Sequence, residues 1–128
     1  MSSRYVRQLS EQWAAALHVP FHPTVNMEQD PTDPLWFTLE WDSFGSTKDS
    51  YCETFTEDGE IRMVFFGQSG AGYDAMFQAA ESAAAQFYGN ADPAGRLVLT
   101  SIDPPDEFGT QDGPWFVVEV AVTYQYRK

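Results

Sequence analysis

The sequence is short of three things: cysteine, basic charge and long apolar runs. One cysteine, Cys52, stands among 128 residues. It excludes an internal disulfide, and it provides no paired thiolates for a zinc site or a dithiol redox motif. Seven basic residues face nineteen acidic ones, for a net charge of −12 and a pI near 4.2. Such a balance repels a phosphate backbone, which binding proteins neutralise with Lys and Arg, and argues against sequence-specific nucleic-acid contacts. No apolar run approaches membrane-spanning length, and Arg4, Arg7, Gln8, Glu11 and Gln12 interrupt the first twenty residues where a signal peptide would be apolar. The expectation is a protein made and used in the cytoplasm, with no membrane partner.

Aromatic residues, in contrast, are plentiful. Ten Phe, six Tyr and four Trp contribute to a hydrophobic fraction of 43%, far from the signature of disorder. A chain of this length buries a core without covalent staples, and 1–128 reads as a single domain.

Periodicity then divides the chain. Over residues 4–17, Val6, Leu9, Trp13, Ala16 and Leu17 recur at helical spacing, and Pro20 and Pro23 bar continuation of the helix. Residues 35–41 alternate Leu35, Phe37, Leu39 and Trp41 against Trp36, Thr38 and Glu40, the period of a half-buried strand. A polar loop is expected over 42–50 and an extended stretch over 51–66, in which Glu57-Asp58-Gly59-Glu60 is either a turn, the reading that Asp-Gly favours, or an exposed run between two strand halves. Residues 73–88 carry an alanine-rich helical stripe that Gly89-Asn90 ends as a C-cap. A short strand follows at 97–102. The longest alternation comes last, Phe116, Val118, Val120, Val122, Tyr124 and Tyr126 against polar neighbours. The expected fold class is α+β: one mostly antiparallel or mixed sheet of about four to five strands, with two main helices packed on one face.

Motifs that carry chemistry are weak. The segment Gly67-Gln68-Ser69-Gly70-Ala71-Gly72 lacks both the dinucleotide glycine order and the Lys of a phosphate-binding loop, and reads as a turn. His18 and His22 are separated by a helix-breaking proline, so they do not share a metal-binding turn. Cys52 lies beside Glu53, which raises a thiol pKa instead of activating it. The acidic groups at 28–33, 57–60 and 103–112 fit no calcium loop. Neither a catalytic residue nor a metal or cofactor site is expected, and the protein reads as a non-enzyme. A competing expectation is a small-ligand-binding domain that uses the glycine-rich turn.

Taken in order, the helix VRQLSEQWAAAL, the strand PLWFTLEW, EIRMVFFGQSGAG running into helix YDAMFQAAESAAAQF, the strand RLVLTSI and the closing GPWFVVEVAVTYQYRK resemble the tail terminator, or tail completion, proteins of long-tailed bacteriophages. The layout also suits head–tail joining and adaptor proteins. The resemblance covers nearly the whole chain as a pattern of elements. It implies a structural virion subunit in a ring, usually of six copies, that caps the tail tube, stops its growth and meets the head connector protein, with no cofactor and no reaction. The subunit would sit in the virion tail after assembly in the host cytoplasm. Residues expected to contribute apolar or protruding surface to such an interface are Trp36, Phe44, Lys48, Tyr51 and Trp115.

Overall fold

The structure is a computed structural model and describes residues 4–22, 35–48, 55–68, 73–103, 110–112 and 115–127. Its elements follow in the order α1 (Arg4–Ala15), β1 (Leu35–Lys48), β2 (Phe55–Gln68), α2 (Tyr73–Tyr88), β3 (Leu97–Ile102), β4 (Thr110–Asp112) and β5 (Trp115–Arg127). The four main strands form one sheet in the order β1-β2-β5-β3, and β4 pairs with the start of β5. Every strand pair is antiparallel. The α+β architecture expected from the sequence is present, with both helices on one face.

Register places the residues on the two faces. Phe37 lies opposite Phe65, Leu39 opposite Met63 and Trp41 opposite Ile61, and these continue across β5 as Val118, Val120 and Val122. This is the helix face, and its side chains are buried from Phe37 to Val122, with Trp41 half-buried. Against it α1 turns Val6, Trp13 and Ala14, and α2 turns Met76, Ala80, Ala84 and Phe87. Trp13 meets Phe87 edge to face at 6.0 Å, which joins the two helices over the sheet. Alanine lets α2 lie close to the strands: a Cβ added at Gly67 would come within 2.7 Å of the Met76 sulfur.

Two sequence expectations are corrected, and a third, the C-cap at Gly89-Asn90, is present in a more specific form. The loop expected over 42–50 is strand as far as Lys48: Ser43 pairs with Gly59 and Gly45 with Asp58, so that Phe44 is the extra residue of a β-bulge. Asp58-Gly59 is no hairpin turn but the interior of β2. A side chain at Gly59 would meet the Asp42 carbonyl oxygen at 2.5 Å and the Tyr124 hydroxyl at 2.6 Å. Glycine is therefore used here for close approach and not for a reversal. At the end of α2, Gly89 keeps an ordinary negative φ, and the capping falls to Asn90, whose side-chain amide donates to the carbonyls of Gln86 and Phe87 at 3.1 and 3.0 Å. The turn that does need left-handed backbone comes later, at Gly95 with φ 71°.

Candidate interaction site

The face of the sheet turned away from the helices changes character along its length. At one end Trp36 stacks on Phe66 at 4.2 Å with an interplanar angle of 9°, and Trp115 meets Trp36 edge to face at 5.8 Å. His22 approaches the same indole edge-on at 5.2 Å. Strand pairing explains the stack: Trp36 and Phe66 are directly opposed across β1 and β2, the distance at which aromatic cross-strand pairs interact. In the middle, Arg62 reaches Glu40 at 3.4 Å and Glu60 at 3.8 Å, both partly exposed pairs of small energetic weight. At the far end Thr100, Ser101 and Thr123 share hydroxyl hydrogen bonds.

The residues expected to serve an interface separate into distinct places. Trp36 is 2% exposed, so its ring is covered by its neighbours. Its indole N–H is also buried and has no hydrogen-bond partner among the described residues. Trp115, the first residue of β5, is half-buried beside it. Phe44 stands apart on the bulge and is 61% exposed. A bulge breaks the alternation of a strand and re-aims the extra side chain, which explains how an aromatic residue stays in water on an otherwise regular strand. Lys48 ends β1 opposite Phe55, and Tyr51 lies outside the described residues. The structure thus joins Trp36 and Trp115 in one cluster and leaves Phe44 separate from it.

Two features escaped the sequence reading. Residues 20–22 run along the edge of β1, with a single parallel bridge from Phe21 to Phe37. Phe21, Gln8, Gln12 and Ala15 border an open depression of about 680 Å³ beside α1. The second feature is Asp92. Its carboxylate accepts from the Tyr5 hydroxyl at 2.7 Å and from the amides of Ala94, Arg96 and Leu97 at 3.0, 3.1 and 3.1 Å, while Tyr5 stacks on Tyr126 at 5.1 Å. Loss of hydration alone would raise the Asp92 pKa, but the hydrogen bonds from Tyr5 and from the Leu97, Ala94 and Arg96 amides outweigh it and hold the carboxyl below its ordinary value. The Tyr5 hydroxyl is pushed up, chiefly by its hydrogen bond to that carboxylate. The turn formers Asp92-Pro93-Ala94-Gly95 were the available signal, since Asp side chains bond to amides two residues on.

Among the described residues no group of three or more His, Cys, Asp or Glu is placed to hold a metal ion, and no helix is long and apolar enough to cross a membrane. These features define an α+β protein of one antiparallel sheet, helix-covered on one face and carrying an aromatic cluster on the other. No protein-family model matches the chain, and no curated protein sequence matches it.

Proposed function

We propose that this chain is a non-catalytic structural subunit of a long-tailed bacteriophage, which caps the finished tail tube, ends its polymerisation and offers a surface to the head connector. The order of elements along the sequence supports this reading, and so does an α+β sheet with its helices gathered on one face. The observation that carries it is Phe44: a phenyl ring 61% exposed on an edge-strand bulge, in a chain of net charge −12. Exposed aromatics of this kind are what interfaces bury first. The partners in this reading are further copies of the chain in a ring of six, the tail tube protein and the head connector protein, within the virion tail. Acidic surface facing the lumen of such a ring would repel DNA phosphates and let the duplex slide. A ring structure with most carboxylates on the outer rim would overturn that part.

Light scattering of the chain alone and with polymerising tube protein, followed by electron microscopy of tube lengths, tests the proposal. Capped or shortened tubes are expected, and Phe44→Glu abolishes the effect while leaving the fold intact. A chain that stays monomeric and leaves tube lengths unchanged overturns it and favours an adaptor or ligand-binding role.

A further inference from the structure

Antiparallel pairing leaves every second residue of an edge strand with its N–H and C=O pointing away from the sheet, ready to take another strand. On β1 the bonds to residues 20–22 identify those positions. His22 N–H donates to the Phe37 carbonyl at 2.9 Å, and Phe37 N–H donates to the Pro20 carbonyl at 3.0 Å. Leu35, Phe37, Leu39, Trp41 and Ser43 therefore face outward. Pairing with β2 is unbroken from Leu35 to Ser43, and the bulge at Phe44 interrupts it beyond. On β3, in contrast, a bulge falls between Leu99 and Ser101, and the outer amide of Leu97 is already taken by Asp92. The β1 stretch is thus the longer regular edge.

Residues 20–22 occupy its first half and straddle it. The Phe21 ring lies 5.2 Å from Phe37 on the helix face. The His22 ring meets Trp36 on the opposite face. Their bridge is parallel, while every strand pair of the sheet is antiparallel. The clasp takes the outward backbone groups of Phe37, which leaves only Leu39, Trp41 and Ser43 as consecutive outward positions on the regular stretch among the described residues. Without it, five consecutive outward positions open, from Leu35 to Ser43.

We infer that residues 20–22 guard the β1 edge against pairing with the same edge of a second copy of this chain. Self-pairing about a two-fold axis at Leu39 sets Leu39 beside its own copy and Phe37 beside the other copy's Trp41. Those are apolar cross-strand pairs of the kind that stabilise sheets. The guard does not depend on the tail reading, because it concerns a contact that is suppressed whatever assembly the chain enters.

The double variant Phe21→Ala/His22→Pro removes both rings and the bridging N–H. With the circular dichroism spectrum of the wild type retained, its weight-average mass by light scattering is expected to rise about twofold over wild type and to fall again on dilution. The Leu39 amide should gain protection from hydrogen exchange in the associated form. A folded variant that keeps the wild-type mass overturns the inference. Hydrogen exchange in the wild type decides the matter even where the variant does not fold. Phe37 and Leu39 both present outward amides, and the guard requires Phe37 to exchange more slowly. Equal rates overturn it.

Discussion

Two tryptophans on one strand show how differently the faces of this sheet are built. Trp41 points to the helices, and its indole N–H donates to the Ser10 hydroxyl at 2.9 Å. Ser10 in turn donates to the Val6 carbonyl at 2.6 Å inside α1, and the Arg7 guanidinium lies over the Trp41 ring at 5.3 Å. Trp36, five residues earlier and on the other face, is more deeply buried yet leaves its N–H without a partner among the described residues. On the helix face a second layer brings apolar cover and, for the Trp41 indole, a polar partner as well. On the open face cover comes from flat aromatic neighbours, which exclude water without offering an acceptor.

The largest effect that tests this contrast is expected in the helix-face core. Phe65→Ala should cost about 3–5 kcal/mol in denaturant unfolding, because Phe65 is fully buried between sheet and helices. Trp36→Ala should fall at or just below that range, roughly 3 kcal/mol, since its truncation loses packing but also removes a buried unpaired donor. A cost near zero would show that the open-face cluster is not a second core. Gly59→Ala comes next, at about 1–3 kcal/mol, because the new methyl must displace the Tyr124 ring and the Asp42 backbone.

Asp92→Asn tests the loop that anchors α1. The folded-state pKa of Asp92 is depressed, so its contribution is present above the unfolded carboxylate value of about 4 and is lost as pH falls through the folded pKa. The wild type should therefore lose thermal stability on acidification below about pH 4 through this group, and the variant should show a flatter profile there. At neutral pH its melting temperature should be lower by roughly 3–6 °C. Identical pH profiles would remove Asp92 from the account. The smallest effect belongs to Phe44→Ala, expected within about 0.5 kcal/mol of wild type because the ring is mostly in water. A larger loss would mean that Phe44 serves the fold of the free chain.

Element type was legible where periodicity is strong. The stripe from Tyr73 to Tyr88 became α2 with the expected limits, 97–102 became β3, and the closing alternation became β5 with one residue added at each end. Alternation also put Trp36 and Trp115 on the second face before any pairing was known. What stayed hidden depends on contacts distant in sequence. Asp58-Gly59 has the local chemistry of a turn, and only the approach of Tyr124 from β5 shows why a strand needs glycine there. The polar segment after Trp41 does not alternate, yet it is held extended by thirteen-residue pairing with β2, a cooperative ladder that overrides weak strand propensity.

For this chain, local sequence determined the type of the strongly periodic segments and which of their residues face inward, because a side-chain period of 3.6 or 2 is written in the order of residues. Tertiary structure alone decided the strand order β1-β2-β5-β3, the bulge that exposes Phe44, the clasp on the β1 edge and the four bonds that converge on Asp92. The first three depend on backbone groups far apart in the sequence meeting at hydrogen-bonding distance. The Asp92 turn, local in its three amide bonds, gains its tie to α1 only through Tyr5, 87 residues away. No local pattern encodes those distances.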